Sequence, residues 1–213
     1  MTVLQGSDTS RRQMPDRFAP DGDLRDLTLQ RGPGAYVSAP NSGNAWTREM
    51  LTQLLPLPEE PRTIGAETYL MDAAPLFGKV AVLRDGAMAA YRLHDSNMNG
   101  AIDAMTYGNI VRILQHFEAR IAWLSRIAAA RGLLPQASEW WSRNWRLLTL
   151  QDLKARIAGG HRVSWRRHLR PTLAVEGSAL KKQVLVLAIV LVRVLPLPWS
   201  LSVAGRIVRP RHM

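Results

Sequence analysis

The segment of residues 106 to 131 constrains the fold most strongly, because its apolar side chains recur at spacings of three and four. That spacing places them on one face of an α-helix. The stripe consists of Ile110, Ile113, Leu114, Phe117, Ile121, Leu124 and Ala128. Gly132 and Pro135 follow, and both residue types commonly lie just beyond a helix end. The pattern predicts one long amphipathic helix.

Shorter segments also favour helix, so we predict a mainly α fold. Their apolar spacing, alanines and bordering prolines indicate helices within residues 44–55, 62–74, 86–94, 136–142 and 150–158. The residues before Asn44 are rich in Asp, Arg, Gly, Pro and Ser and have no periodicity, which is typical of an extended arm. The predicted organisation is a flexible arm over 1–45, a small helical domain over 46–160 and a basic C-terminal extension over 161–213.

The positive charge is concentrated in the second half of the chain. Residues 1–100 hold 10 basic and 12 acidic side chains, and residues 101–213 hold 18 and 5, so net charges of −2 and +13 make up the total of +11. Such an asymmetry indicates an anionic partner, either nucleic acid or a membrane surface. Protein docking onto a larger assembly is the third kind of partner that we consider.

A short acidic and amide-rich segment lies between the two halves. Counted from Asp95, its oxygen-bearing residues fall at the first, third, fifth and ninth positions, with Gly at the sixth and Ile102 at the eighth. Residues 85–114 thereby resemble the helix-loop-helix of the EF-hand family. The resemblance implies a Ca²⁺ site with oxygen ligands from Asp95, Asn97, Asn99, the Ala101 carbonyl and Asp103.

The loop departs from the family at its twelfth position, where Thr106 stands in place of a bidentate Glu. The loss of two oxygens and one charge weakens any Ca²⁺ site. Three interpretations stay open, namely weak Ca²⁺ binding, a degenerate loop without metal and an Asx-rich turn unrelated to the family. EF-hands usually occur in pairs, and residues 136–158, with a loop at 141–152, are the best candidate for a very degenerate mate.

Arginines interleaved with tryptophans make the C-terminal half a candidate anion-binding region. The tryptophans are Trp140, Trp141, Trp145 and Trp165, and the candidate anion ligands are Arg143, Arg146, Arg162, Arg166, Arg167 and Arg170. Aromatic rings can stack on bases while arginines neutralise phosphates, as an RNA-binding subunit of a ribonucleoprotein would require. The alternative is a pair of helices that bury tryptophan and leave the arginines solvated.

The most apolar part of the chain lies near its C-terminus. Residues 184–192 are uninterrupted by a polar side chain, and positive residues flank the wider segment of 181–211. Contact with a membrane is one interpretation, through Val184, Leu187, Ile189, Leu191 and Trp199. Arg193, Pro196 and Pro198 oppose a spanning helix over 183–204. A buried core strand or short helix is the alternative.

Several kinds of chemistry are excluded or unsupported by the sequence. The chain has no cysteine, which excludes disulfides, thiol nucleophiles and Cys-based zinc sites. It contains no HExxH, GxSxG, P-loop or GxGxxG pattern, and its N-terminus is not typical of a secretory signal. We therefore expect an intracellular, non-enzymatic interaction protein without a catalytic residue or small-molecule substrate, with membrane association as an alternative. Weak Ca²⁺ is the one cofactor that we expect.

Overall fold

The computed structural model describes residues 2–5, 21–38, 43–57, 65–82, 90–93, 105–175 and 177–208. These residues are mainly helical, which confirms the predicted fold class. Residue contacts divide the chain into two compact units. The first unit comprises residues 1–101, 120–135 and 212–213, and the second comprises 102–119 and 136–211. The predicted boundaries at 45 and 160 stay predictions.

The first unit contains short helices and one pair of strands. The helices are α1 (Arg25–Arg31), α2 (Arg48–Leu54) and α3 (Ala66–Ala73), followed by a 3-10 turn at Ala74–Leu76. Strand β1 (Thr2–Gln5) pairs in parallel with β2 (Ala90–Leu93), with Val3 opposite Tyr91. The Thr47 hydroxyl accepts a hydrogen bond from the Met50 N–H, so Thr47 caps α2 as its sequence position indicates.

Two expectations differ from the structure in this unit. Residues 21–38, assigned to a flexible arm, include α1 and bury Leu24 and Thr28. The helix predicted over 86–94 is wrong at Ala90–Leu93, which form a strand. The alanines and Met88 favour helix only weakly, and pairing with a distant strand overrides such a local preference.

The predicted long helix is α4 (Tyr107–Ala130), which belongs to the second unit up to Ala119 and to the first from Arg120. Its stripe supplies core residues, since Ile110, Leu124 and Ala128 are completely buried. The Leu133 N–H donates to the Ala128 carbonyl just beyond the helix end. Gly132 has a φ of 68°, a left-handed conformation that ends helices at little cost for glycine.

The second unit also contains five consecutive helices, α5 (Ala137–Arg143), α6 (Trp145–Ala158), α7 (Trp165–Leu173), α8 (Ala179–Val194) and α9 (Leu197–Val208). Side chains of Asn144, Ser164 and Ser178 cap α6, α7 and α8 by accepting hydrogen bonds from first-turn N–H groups. Leu148, Leu150 and Leu153 of α6 are fully buried and form the centre of this core.

The structure changes the interpretation of two C-terminal segments. Residues 145–152, proposed as most of a mate loop, lie inside α6, so the degenerate EF-hand mate is wrong there. The apolar run of 184–192 lies in α8 rather than in a strand, and the chain turns at Leu195 before α9 begins. Across the described ranges, no helix combines the length and apolar character needed to cross a bilayer.

Candidate functional site

The predicted calcium ligands Asp95, Asn97, Asn99, Ala101 and Asp103 lie outside the described residues, so the loop stays a prediction. Thr106, its last position, is described and caps α4, because its hydroxyl accepts a hydrogen bond from the Asn109 N–H at 3.2 Å. The Thr106 side chain therefore caps a helix at the position where EF-hand proteins have a metal ligand. Within the described ranges, no three His, Asp or Glu side chains are grouped as a metal site would require.

The predicted anion ligands make different contacts. Arg143 pairs with Glu139 of its own helix, and the guanidinium of Arg146 lies over the Trp145 ring. Arg166, Arg167 and Arg170 are exposed on α7. Arg162 belongs to a polar cluster with Asp152 of α6 and Arg193 of α8, and His168 of α7 lies near the same charges. The spacing of these residues in the sequence did not indicate that they meet.

Asp152 is the centre of this cluster and is completely buried. Arg162 binds it in a bidentate manner, with Nη2 at 2.7 Å from Oδ2 and Nε at 3.2 Å from Oδ1. Arg193 approaches from the other side, with Nη2 at 3.5 Å from Oδ1. The hydrogen bond to Asp152 raises the pKa of Arg162. One carboxylate therefore faces two guanidinium groups, which leaves an excess of one positive charge.

Arg193 is almost fully buried, with 6% of its side chain exposed. Its Nη2 donates to the Val163 carbonyl at 2.7 Å, and its guanidinium carbon lies 4.1 Å from the centre of the Trp165 ring. The Nε and Nη1 groups have no hydrogen-bond partner. Burial, and then the charge of Arg162, lower the pKa of Arg193, although an arginine stays protonated at neutral pH. Both of these nitrogens, Nε and Nη1, are buried.

His168 is a neutral neighbour of these charges. The Thr149 hydroxyl donates to the Trp145 carbonyl at 2.9 Å, so it accepts from the imidazole, whose Nε2 lies 2.9 Å away. This arrangement assigns the hydrogen to Nε2 and leaves Nδ1 as a buried acceptor without a partner. Burial, followed by the positive charge of Arg193, lowers the pKa of His168 to about 4.

A second buried carboxylate, Asp72, lies in the first unit and is fully engaged. Arg120 donates from Nε and Nη2 at 2.7 Å to each oxygen, and the Gly34 N–H donates at 2.9 Å. Gly34 has a φ of 72°, which glycine adopts without strain. Tyr36 donates to the Met71 carbonyl, and burial, together with the charge of Asp72, raises the pKa of Tyr36. With three donors on its two oxygens, Asp72 is a structural anchor rather than a free base.

The predicted membrane-contact residues are divided between the two faces of the α8–α9 pair. Val184, Leu187 and Trp199 are 54%, 58% and 67% exposed, and Leu191 is partly exposed. Ile189 is completely buried, so its assignment to a membrane contact is wrong. A continuous apolar run conceals which residues face inward, because both faces of the helix are apolar.

Comparison with known proteins finds a distant relative. No protein-family model matches the chain, and no solved structure matches it significantly. A protein of Nostoc sp. (strain PCC 7120) named "uncharacterized glycosyltransferase" is 27% identical over 148 residues, which is 64% of this chain. The chain spans 45% of the length of that relative.

This similarity corrects our functional prediction. We predicted a non-enzymatic interaction protein, and the relative points instead to an enzyme. The prediction failed because it depended on short motifs of fixed spacing. Asp152 and Arg193 are 41 positions apart in the sequence and meet only in the folded protein. No motif of fixed spacing therefore predicts their contact.

Proposed function

We propose that this chain belongs to an enzyme that transfers a sugar from an activated donor to an acceptor. The observation that carries the proposal is the 27% identity over 148 residues to a protein named as a glycosyltransferase. Since the chain spans 45% of that relative, the proposal concerns an activity to which this chain contributes. It replaces the expectation that the protein has no small-molecule substrate.

The chemistry of sugar transfer makes an anion-binding group useful. The acceptor oxygen forms a bond to the anomeric carbon, the bond from that carbon to the leaving group breaks, and the acceptor proton passes to a base. A phosphate-linked leaving group departs with the bonding electrons as an anion. Fixed positive charges that face this group stabilise the developing charge.

The cluster around Asp152 is the feature of the described residues that best suits such a leaving group. Arg162 and Arg193 exceed the single carboxylate by one charge, and two N–H-bearing nitrogens of Arg193 lack partners. The side chain of Arg162 is 41% exposed, so solvent reaches the edge of the cluster. We assign Arg162 and Arg193 to anion binding in this proposal and assign no residue as the base.

The test is to incubate the full chain with nucleotide-activated sugars and simple acceptors and to measure release of the nucleoside diphosphate. We expect release above the no-protein background. Arg162→Gln should reduce it by about tenfold, the effect of one lost charge-assisted hydrogen bond. Circular dichroism checks that this variant is folded, because the change also removes the bidentate partner of Asp152. Arg143→Gln is the matched control, since Arg143 is exposed and pairs with Glu139 one turn away in its own helix. The proposal would be contradicted if the chain bound none of the donors and released no nucleoside diphosphate from any of them.

A further inference from the structure

The exposed apolar residues of α8 form a continuous stripe. Leu180, Val184, Leu187 and Val194 are 69%, 54%, 58% and 65% exposed, and Leu191 between them is partly exposed. At about 100° per residue these five positions fall within about 80° of one another around the helix, and they extend for about 21 Å along it. We call these five residues the α8 stripe. Large apolar side chains aligned in this way are typical of a docking surface.

The opposite face of α8 holds the helix in the second unit. Ala188, Ile189 and Val192 are buried there, and the neighbouring Arg193 binds the Val163 carbonyl. A second anchor comes from Arg156 of α6, which donates to the carbonyls of Val192 and Leu195. The α8 stripe therefore remains on the outside because the other face already has its partners.

Helix α9 exposes an aromatic and a basic residue. Trp199, 67% exposed, lies just beyond the turn that follows α8. Arg206 is also exposed and lies on the same face as Trp199, since seven residues make about two turns. Tryptophan and arginine at the edge of an apolar surface are typical of segments that lie in a membrane interface.

The charge of this region indicates which kind of surface it fits. After Glu176 the sequence contains no Asp or Glu, whereas Lys181, Lys182, Arg193, Arg206, Arg209 and Arg211 are all positive. Lys181 is exposed at the beginning of α8, close to Val184 of the stripe. An acidic membrane surface attracts such a segment, and its lipid tails accept the apolar side chains.

We propose that the α8–α9 pair docks on an anionic lipid bilayer, with the α8 stripe and Trp199 immersed in the headgroup region and the exposed Lys181 and Arg206 against the lipid phosphates. The pair lies in the plane of the surface. This proposal concerns a binding surface and stands independently of the sugar-transfer proposal. It adds a location at which the enzyme would meet its substrates.

The experiment is flotation of the full chain with vesicles of two compositions. One is phosphatidylcholine alone, and the other contains equal parts of phosphatidylcholine and phosphatidylglycerol. We expect strong binding to the mixed vesicles, weak binding to phosphatidylcholine and a loss of binding as salt is added. The double variant Val184→Asp with Leu187→Asp should weaken binding by about tenfold for each changed residue. Circular dichroism verifies that this variant is folded.

Two further variants distinguish lipid docking from general adhesion. Leu134→Asp is the control, because Leu134 is 91% exposed and lies outside the α8–α9 pair. Vesicle binding of this variant should stay within about twofold of that of the unaltered chain. Lys181→Ala should weaken binding to the mixed vesicles about fivefold and leave binding to phosphatidylcholine unchanged.

The proposal would be overturned by no binding to mixed vesicles at low salt, by equal binding to both vesicle types, or by equal losses for Leu134→Asp and the double variant. A concentration-dependent dimer that the double variant abolishes would also overturn it, because the α8 stripe would then be covered by a second copy.

Discussion

At the scale of residues, the protein buries two carboxylates and supplies each with guanidinium groups. Asp72 and Asp152 are 4% and 0% exposed, and Arg120 and Arg162 bind them in a bidentate manner. Loss of one partner from such a buried pair typically costs about 3–5 kcal/mol, because the remaining charge is left in a poorly solvated site. Asp72 is saturated by its donors, whereas the Asp152 cluster retains unused N–H groups on Arg193. This difference separates an anchor from a candidate binding site.

His168 gives a prediction about pH. Its pKa is about 4 in the folded protein and 6.5 ordinarily, so the unfolded chain binds more protons between these values. The free energy of unfolding should therefore be constant above about pH 6.5 and fall by roughly 2–3 kcal/mol as the pH is lowered to about 4. Urea denaturation at several pH values measures this slope.

The control for this experiment is His168→Gln. Its side-chain amide can still donate to the Thr149 hydroxyl but does not titrate. The variant should lose most of the extra slope between the two pH values, while other titrating groups contribute equally to both proteins. Identical slopes for the two proteins would show that His168 is not the titrating group.

At the scale of elements, α8 shows how one apolar sequence produces two different faces. Ile189 and Leu187 are neighbours in an unbroken run, yet Ile189 is completely buried and Leu187 is 58% exposed. Their angular separation of about 200° on the helix explains the difference. The inward face packs with α6, α7 and α9, and the outward face carries the α8 stripe.

This contrast predicts unequal effects of the same kind of truncation. Ile189→Ala should lower the free energy of unfolding by about 2–4 kcal/mol, because it removes buried methyl groups and leaves a cavity. Leu187→Ala should change it by less than about 0.5 kcal/mol, because the site is largely solvated and alanine favours helix. Chemical denaturation of both variants measures the two values, and equal losses would contradict the two faces assigned to α8.

At the scale of the whole molecule, the net charge of +11 is the dominant electrostatic property. Like charges repel one another, and this repulsion destabilises the compact state. The ion pairs of Asp72 and Asp152 oppose it, and salt screens them less than it screens surface charges because both carboxylates are buried. Added salt therefore acts mainly on the surface repulsion.

The expected result is that salt stabilises the protein. The Debye length shortens from about 30 Å at 0.01 M to about 8 Å at 0.15 M, which screens most of the surface repulsion. The melting temperature should rise by roughly 2–4 °C, corresponding to about 1 kcal/mol. Differential scanning fluorimetry in NaCl measures the shift, and KCl at equal ionic strength should reproduce it. A fall in melting temperature would mean that surface ion pairs outweigh the repulsion.

The sequence by itself determined the features that depend on neighbours along the chain. The apolar spacing of residues 110–128 predicted α4, and Gly132 marked the end of that helix. The excess of positive charge after residue 100 was also visible in the sequence. These features follow from helix periodicity, capping and composition, which need no knowledge of distant contacts.

Only the tertiary structure decided which side chains meet. It paired Ala90–Leu93 with Thr2–Gln5 against a local helical preference, and it brought Arg162 and Arg193 to one carboxylate. In the sequence, Arg193 was a charge that opposed a membrane-spanning helix. The structure shows that its side chain is buried beside Asp152. The physical reason is that burial and electrostatic pairing depend on distance in space, and helix packing joins residues that are far apart along the chain.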